Sequence, residues 1–216
     1  MISDSHGNVP ALSAALLWAR GPEGPEAPAA ALFLGDGAAD LSPACGRTGF
    51  SLPWYRVRGN GDMNFSLPDT LILSAGPGGI RAAGTGESGG GGSLRGQTAG
   101  PPERRIFLVH GNRFAVETGL QGLGAAAGAA GAGIALFGHT HVPCLKYADT
   151  AGKPLPAGDP GAVLFLNPGS IGRPRSRLGA TFAVLELPPD TAGPPRVRFW
   201  GLTETRRGYT VGELDL

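Results

Sequence analysis

The sequence predicts an α/β fold whose first part forms a mainly parallel sheet. Three observations support this prediction. Runs of about four apolar residues, without polar alternation, are typical of strands covered on both faces. These runs end at polar residues, often next to glycine, and a helical repeat separates the first two runs. Alternation of strand and helix indicates parallel strands, and such sheets bind ligands beyond the carboxyl ends of their strands.

The elements follow in order along the chain. Short apolar runs end at Asp4 and Asp36, and a further run covers 54–57. Between the first two runs, apolar residues at positions 9, 12, 16 and 19 recur at helical spacing, with Asn8 as N-cap and Pro10 in the first turn. Later runs cover 106–109, 134–137 and 163–166. The runs 142–147, 163–166, 182–187 and 197–200 follow one another through turns and predict a second, more antiparallel sheet.

Three stretches interrupt this pattern. Residues 76–102 are rich in glycine and predict a flexible insert, because they bury too little apolar surface to offset chain entropy. Residues 21–28 predict a Pro-Gly linker. The uncharged stretch 118–137 has the length of a membrane span, but Ala and Gly supply little transfer energy. A small-residue helix followed by a buried strand is the favoured interpretation.

The composition limits the classes of function. A chain of 216 residues, 41% of them hydrophobic, predicts a single domain over 1–216. Its 18 basic and 17 acidic residues argue against bulk electrostatic binding of nucleic acid or a membrane. Cys45 and Cys144 have no metal-type spacing, and a domain of this size needs no disulfide. The N-terminal residues lack a secretory pattern, so we expect a cytoplasmic protein.

The four histidines of the chain all follow predicted strands. They belong to the segments D-S-H, H-G and G-H-T-H, and further oxygen donors follow in G-D and G-N. Seven candidate metal ligands result: Asp4, His6, Asp36, Asn60, His110, His139 and His141. Carboxylate, imidazole and amide donors suit Mn, Fe, Zn, Ni or Co, and seven of them suffice for two ions that share one carboxylate.

This order of motifs resembles the calcineurin-like metallophosphoesterase superfamily. The opening I-S-D-S-H-G-N, the G-N-x-D motif and the later L-N-P-G-S-I-G-R-P-R resemble its small bacterial phosphodiesterases of the YfcE type. The resemblance spans the chain outside the Gly-rich insert. It implies a layered α/β-β/α sandwich, with two mixed β-sheets flanked by helices. It also implies two divalent metal ions, Mn first among the candidates, and no other cofactor.

Transferred position by position, the resemblance implies two ligand sets. Asp4, His6, Asp36 and His141 hold one ion, and Asp36, Asn60, His110 and His139 hold the other. Asp36 then bridges the two ions, and Asp36, Asn60 and His110 are the candidate catalytic residues. A metal-activated hydroxide attacks the phosphorus of a small-molecule phosphate ester in line.

Several positions depart from the family pattern. Gly61 stands where many members carry a histidine that protonates the leaving group, so we expect faster cleavage of diesters with good leaving groups than of monoesters with poor ones. Asp62 matches an acidic residue for which an orienting role is predicted. Asn112 replaces a second frequent histidine. The only apolar residues before Asp4 are Met1 and Ile2, so the first strand is very short or the start codon is misplaced.

Other charged and reactive residues keep two interpretations. Arg58 either neutralises substrate or forms a surface salt bridge. The segment 167–177 either contacts phosphate or another subunit through its arginines, or forms a structural turn, which we favour. Cys144 is interpreted as a buried apolar cysteine rather than an additional ligand.

A two-metal phosphodiesterase is therefore the main hypothesis. The alternatives are a noncatalytic protein-interaction scaffold on the same fold, like the retromer subunit that resembles these enzymes, and a nuclease. The nuclease would need a basic groove, which a net charge of +1 does not favour. A homo-oligomer, dimer or tetramer, is compatible with the resemblance.

Overall fold

The computed structural model describes residues 1–84, 103–188 and 193–216. Three α-helices and eleven strands lie within these ranges. The helices are α1 (Val9–Arg20), α2 (Leu41–Thr48) and α3 (Gln121–Ala129). The strands are β1 (Ala31–Phe33), β2 (Trp54–Arg56), β3 (Thr70–Gly76), β4 (Gly79–Gly84), β5 (Arg104–Val109), β6 (Ile134–Leu136), β7 (Pro143–Ala148), β8 (Val163–Pro168), β9 (Ala180–Glu186), β10 (Arg196–Thr205) and β11 (Gly208–Leu214).

Six strands form one mixed sheet in the order β4-β3-β5-β6-β8-β7. Its central strands β5, β6 and β8 are parallel, with Leu136 paired to both Leu108 and Leu166. Parallel strands in this register end at the same edge of the sheet. The residues that follow them, His110 after β5 and Gly138 after β6, therefore lie side by side, and the backbone N–H of Gly138 donates to the carbonyl of His110 at 2.9 Å.

The other layer combines a parallel pair, β1 and β2, with the antiparallel strands β9, β10 and β11. Met1 and Ile2 connect the two groups. Ile2 forms a parallel bridge with Phe33, while the backbone of Met1 exchanges hydrogen bonds with Ala183 of β9 at 2.7 and 3.1 Å. This layer is consequently a second mixed sheet, with Met1 and Ile2 between its two groups of strands. Asp4 lies just beyond this short segment.

Apolar side chains of both sheets pack against each other in the centre of the molecule. Leu32 and Leu34 of one sheet belong to the same buried cluster as Leu108 and Leu136 of the other. Alternate residues point outward: Phe33 packs with α1 and α2, and Phe107 packs with α3. The predicted α/β-β/α sandwich is therefore confirmed, because each sheet covers the other on one face and helices on the opposite face.

Two helix predictions are also confirmed. Helix α1 begins after Asn8, whose side-chain Oδ1 accepts the backbone N–H of Ala11 at 3.1 Å, and Pro10 lies in the first turn. The uncharged stretch 118–137 forms α3 and β6. Within the described ranges, no helix has the length and apolar character that crossing a membrane requires.

Three expectations about secondary structure need correction. Strands β7 and β8 do not start the second sheet but extend the first one, because β8 pairs in parallel with β6. Residues 79–84, near the beginning of the Gly-rich stretch, form strand β4 by pairing with β3, and the rest of that stretch, 85–102, lies outside the described residues. Helix α2 and strand β11 were not predicted, since neither shows a strong apolar repeat.

Candidate metal centre

Five of the seven candidate ligands adopt an unusual backbone conformation. Asp4, His6, Asp36, His139 and His141 have φ angles of 54°, 43°, 60°, 68° and 61°. A left-handed backbone at residues with a Cβ costs about 1–3 kcal/mol each and concentrates at functional sites. The loops after the strands are therefore strained, and this backbone conformation directs the five side chains to one place.

The two buried carboxylates each divide their oxygens between the protein and the centre of the site. Oδ2 of Asp4 accepts hydrogen bonds from the Ser3 hydroxyl at 2.5 Å and from the backbone N–H of His139 at 3.1 Å. Its Oδ1 lies 3.2 Å from Nε2 of His141. Similarly, Oδ1 of Asp36 accepts the backbone N–H of Gly61 at 2.6 Å. One oxygen of each carboxylate thus remains directed inward.

Two of the histidines are oriented by backbone carbonyls. Nδ1 of His110 lies 2.7 Å from the carbonyl oxygen of Leu34, and Nδ1 of His141 lies 2.5 Å from that of Arg173. A carbonyl can only accept, so Nδ1 carries the proton and Nε2 of the neutral ring presents a lone pair to the site. This is the tautomer that a metal ligand requires.

The inward atoms form two overlapping groups. Asp4, His6 and His141 make one group, and Asp4, Asp36 and His110 make the other, each with its donor atoms within 4.8 Å of one another. Nε2 of His6 lies 3.8 Å from Oδ2 of Asp36, and Nε2 of His110 lies 3.5 Å from the same oxygen. Both carboxylates therefore face both groups. The carboxylate common to the two groups is Asp4, whereas the resemblance implies that Asp36 is shared, and Oδ2 of Asp36 faces His6 and His110 from the other side.

The remaining two candidate ligands flank these groups. The ring of His139 lies 5.1 Å, centroid to centroid, from the ring of His110. Asn60 is exposed and stands between Gly59 and Gly61, whose backbone meets Asp36. Folding therefore gathers all seven predicted residues at one edge of the sandwich, five with side chains in mutual contact and two beside them.

The donor set fits divalent metal ions. Oδ1 of Asp4 and Nε2 of His110 are buried and lack a hydrogen-bond partner. Buried polar atoms in native proteins are nearly always satisfied, and two such acceptor atoms 3.9 Å apart fit a shared divalent cation. Ligands about 2.0–2.2 Å from a common ion lie about 3–4 Å from one another, which matches the observed separations.

Charge at the site shifts the pKa of two histidines upward. Contact with the Asp4 carboxylate raises the pKa of His141. Burial acts to lower the pKa of His110, but the contact with Asp36 and the charges of both carboxylates outweigh it and raise that pKa. Burial acts to raise the pKa of Asp36, but contact and charge of His110 lower it to about 2. Asp36 is therefore ionised at neutral pH.

The other two histidines shift in the opposite direction. Burial lowers the pKa of His6 more than the neighbouring carboxylates raise it. Burial and the charge of His110 lower the pKa of His139, against the charge of Glu117, whose Oε2 lies 3.8 Å from Nε2 of His139. Both rings are thus available as neutral ligands at lower pH than an ordinary histidine.

Asp62 has the orienting role that the sequence predicted. Its Oδ2 accepts the backbone N–H groups of Asp36 and Gly59, both at 2.9 Å. Its Oδ1 accepts those of Gly37 and Ala38, both at 2.8 Å. One buried carboxylate thereby fixes the loop that carries Asp36 to the loop that carries Asn60.

Two further supports were not identified as such from the sequence. Asp40 accepts the hydroxyl of Ser5 at 2.6 Å and the backbone N–H of Gly7 at 2.8 Å, which holds the loop around His6. No local signal marks Asp40, since its partners lie more than thirty positions away. Glu117, beside His139, likewise carries no motif.

The segment 167–177 forms a turn that holds neighbouring loops of the site, in line with the favoured interpretation, and its arginines stay candidates for phosphate contact. The buried amide of Asn167 donates to the carbonyl of Gly138 at 2.7 Å and so holds the G-H-T-H loop. The hydroxyl of Ser170 and the backbone N–H of Gly172 donate to the carbonyl of Asp4 at 2.8 and 3.1 Å. Its arginines are exposed at the rim, where the charges of Arg173 and Arg175 act on His6 and His141.

Two glycines permit the close approach of these loops. A Cβ at Gly59 would lie 2.0 Å from Oδ1 of Asp36, and a Cβ at Gly138 would lie 2.0 Å from Oγ of Ser3 and 2.8 Å from Oδ2 of Asp4. Any side chain at either position would displace a carboxylate or its partner. The glycines of G-N and G-H are therefore required by space at the site.

Arg58 forms the salt bridge that was one of its two interpretations. Its guanidinium donates to Oδ1 of Asp69 at 2.6 and 2.9 Å, and Arg113 contacts Oδ2 of the same carboxylate at 2.8 Å. Cys144 lies on β7, half-buried beside the α3 core, and burial raises the pKa of its thiol. It belongs to neither group of metal-ligand atoms.

Comparison with known proteins agrees with this geometry. The family model described as the calcineurin-like phosphoesterase superfamily domain matches residues 1–190. The probable metallophosphoesterase YsnB of Bacillus subtilis is 28% identical over 148 residues, which are 68% of this chain and 63% of that protein. The chain thus spans less than two thirds of the length of that curated relative.

Solved structures share the fold. A single-residue variant of Vps29 from Entamoeba histolytica is similar with a TM-score of 0.56 and 18% identity, over 100% of this chain and 97% of the other. A conserved uncharacterized protein and predicted phosphoesterase from Streptococcus pneumoniae has a TM-score of 0.52 and 20% identity, over 99% and 95%. At these identities the likeness concerns the fold alone. The motif order, the sandwich and the match over residues 1–190 together establish that the chain belongs to the calcineurin-like phosphoesterase superfamily.

Proposed function

We propose that the protein is a phosphodiesterase that depends on two divalent metal ions, with Mn the first candidate. The observation that carries the proposal is the pair of overlapping ligand groups that both carboxylates, Asp4 and Asp36, face, with Oδ1 of Asp4 and Nε2 of His110 buried and unpartnered. Mixed carboxylate and imidazole donors suit Mn, Fe, Zn, Ni or Co rather than Ca. Two such ions supply a nucleophile from water at neutral pH and neutralise phosphate charge.

The protein contributes the positions of the ligands. In this proposal, Asp4, His6, Asp36 and His141 hold one ion, and Asp36, Asn60, His110 and His139 hold the other. The carbonyls of Leu34 and Arg173 keep two of the imidazoles in the ligating tautomer. Asp62 keeps the loops of Asp36 and Asn60 at a fixed separation, so little reorganisation is needed when substrate binds.

A diester is favoured over a monoester by the groups around the leaving-group position. Gly61 offers no proton, and its backbone N–H instead donates to Oδ1 of Asp36 at 2.6 Å. Asn60 binds through a neutral amide and adds no charge that would repel a phosphate. The exposed Arg173 and Arg175 place positive charge near His6 and His141, which suits an anionic small-molecule ester.

A noncatalytic scaffold on this fold is the second candidate, because the likeness to solved structures at 18–20% identity concerns the fold and carries no activity. Wild-type Vps29 of Entamoeba histolytica was solved in complex with Zn²⁺, with a TM-score of 0.51 and 18% identity over 85% of this chain and 80% of the other. Metal binding therefore does not separate the two candidates. Turnover does.

The decisive experiment measures hydrolysis of bis-p-nitrophenyl phosphate beside p-nitrophenyl phosphate. Metal-stripped protein is assayed with and without added Mn²⁺, and Asp36→Asn serves as the site variant. We expect Mn-dependent cleavage of the diester that Asp36→Asn abolishes while its circular dichroism stays that of a folded protein. A folded protein that binds Mn²⁺ but cleaves neither ester with Mn, Fe, Zn, Ni or Co would refute the proposal in favour of the scaffold.

A further inference from the structure

A short turn beside the candidate metal centre exposes two large apolar side chains. Met63 and Phe65 are 83% and 73% exposed, the highest values among the large apolar residues that the structure describes. The turn is ordered by its own hydrogen bonds: the carbonyl of Asn64 accepts the backbone N–H of Leu67 at 3.3 Å, and its side chain accepts that of Ser66 at 3.1 Å. These side chains are therefore presented to solvent by a defined structure.

The turn is attached to the metal centre through its own loop. The backbone N–H of Arg58 donates to the carbonyl of Pro68 at 2.8 Å, which closes the loop 58–68. The same loop contains Asn60, and it is fixed to Asp36 through Gly61 and Asp62. Phe65 and the candidate ligand Asn60 thus belong to one closed loop.

The ring of Phe65 is held from one side by a cation. The guanidinium carbon of Arg58 lies 5.2 Å from the ring centroid, within the range of a cation–π contact. Asp69 holds Arg58 and also Arg113, which follows His110 by three positions. Two guanidinium groups on one carboxylate leave a net positive charge beside the ring.

We propose that Met63 and Phe65 form a stacking platform for a planar aromatic ring carried by the phosphodiester substrate, and this inference rests on the proposed phosphodiesterase function. The exposed ring of Phe65 provides the stacking surface, and Met63 adds a second exposed, polarizable side chain in the same turn. The arginines provide a positive charge suited to the phosphate. Two side chains are far smaller than the surface of about 800 Å² that a stable protein partner covers. A ring on a small ester fits the platform better.

The test compares three diesters that share p-nitrophenolate as the leaving group: thymidine 5′-p-nitrophenyl phosphate, phenyl p-nitrophenyl phosphate and methyl p-nitrophenyl phosphate. Because the bond that breaks is the same, the ratio of kcat/KM between an aromatic ester and the methyl ester reports recognition of the ring on the group that does not leave. We expect Phe65→Ala to lower this ratio about tenfold, in line with the loss of one stacking contact. Leu17→Ala, at an exposed leucine of α1, is the matched control and leaves the ratio unchanged.

Comparison of the thymidine and phenyl esters identifies the ring that is recognised. A loss with the thymidine ester alone assigns a nucleobase, a loss with the phenyl ester alone assigns a simple aryl group, and a loss with both assigns any flat ring. An equal loss on all three esters that appears in KM assigns the p-nitrophenyl ring that they share. An equal loss in kcat alone, or values that Phe65→Ala leaves unchanged on all three esters, would overturn the platform. Absence of turnover of all three by the unaltered protein would count against the proposed function instead.

A second readout does not need turnover. The chain contains two methionines, so protein labelled with ¹³C at the methionine methyl groups gives one signal for Met63 and one for Met1, which packs against the core. Addition of thymidine 5′-monophosphate to the Zn²⁺-loaded protein is expected to shift the Met63 signal through the ring current and to leave Met1 in place. An unmoved Met63 signal at saturating nucleotide, together with kcat/KM values that Phe65→Ala leaves unchanged on all three esters, rejects the platform.

Discussion

The carboxylate of Asp62 accepts the backbone N–H of Asp36 at 2.9 Å, although the two residues lie on different loops after different strands. Three more backbone donors, at 37, 38 and 59, point at the same carboxylate. Hydrogen bonds to a charged acceptor contribute about 1.5–3 kcal/mol each, so Asp62 is a main determinant of where Asp36 lies.

Replacement of Asp62 by asparagine is expected to damage both folding and metal binding. The side-chain amide of the Asp62→Asn variant would turn its NH₂ group toward two backbone N–H donors, which leaves them without an acceptor. We expect the free energy of unfolding of the metal-free protein to fall by about 2–4 kcal/mol and Mn²⁺ affinity to fall about 10- to 100-fold. Urea denaturation and calorimetric titration measure the two quantities.

The matched control for this variant is Asp159→Asn. The carboxylate of Asp159 accepts a single backbone N–H, from Gly161 at 2.8 Å, in an exposed loop. We expect a change below about 1 kcal/mol and unaltered Mn²⁺ affinity. Equal effects of the two substitutions would show that the four hydrogen bonds of Asp62 do not organise the site.

The four histidines are expected to titrate as two pairs in the metal-free protein. The carboxylates raise the pKa of His110 and His141 above the ordinary 6.5, and burial lowers the pKa of His6 and His139 below it. The chain has four histidines, so NMR can follow the titration of each imidazole once its signal is assigned by a single substitution. All four signals titrating together near pH 6.5 would contradict the proposed arrangement of charges.

The same shifts determine how metal affinity depends on pH. An imidazole must be neutral to bind a metal, and a raised pKa means that His110 and His141 keep their protons to higher pH. Affinity for Mn²⁺ is therefore expected to increase as pH rises through those two pKa values, with protons released on binding. Calorimetry in buffers of different ionisation enthalpy counts the protons, and an affinity that is independent of pH between about 6 and 8 would oppose this expectation.

Glu117 is expected to support His139. Its Oε2 lies 3.8 Å from Nε2 of His139 and is half exposed, so its contribution is smaller than that of a buried partner. We expect Glu117→Gln to weaken the binding of one of the two Mn²⁺ ions about three- to tenfold and to leave the other unchanged. Glu186→Gln, at an exposed ion pair on β9, is the control with no effect on either ion. Identical binding isotherms for Glu117→Gln and the unaltered protein would exclude this role.

The lack of a proton donor at Gly61 predicts a steep dependence on the leaving group. A phenolate with a low pKa departs without a proton, whereas an alkoxide needs one. Across a series of methyl aryl phosphates, kcat/KM is expected to fall as the pKa of the leaving phenol rises, and an alkyl monoester is expected to be the poorest substrate. A flat profile, or turnover of the alkyl monoester equal to that of the diesters, would reveal a proton donor elsewhere.

The sequence predicted much of this arrangement because its strongest signals are local. Short apolar runs that end in D-x-H, H-G or G-H-T-H place each candidate ligand at the end of a strand without any knowledge of tertiary contacts. Asn8 was identified as an N-cap from its own position before a helical repeat. The order of these motifs carries the resemblance to the family, and the resemblance implies the sandwich.

Other features depend on pairing between distant segments, which no local pattern encodes. Strand β8 belongs to the six-stranded sheet rather than the antiparallel one because it pairs with β6. Strand β4 forms from glycine-rich sequence because it pairs with the edge of β3. The support of the site by Asp40, Asn167 and Glu117 likewise depends on partners far away along the chain.

The sequence by itself thus determined which residue types reach the edge of the sheets, since a strand delivers the residue after it to a predictable place. Only the tertiary structure decided which oxygen of Asp4 faces the site, which nitrogen of His110 is free, and which loop holds Asp36. Those are properties of hydrogen bonds between segments, and they form only when both sheets and their loops have come together.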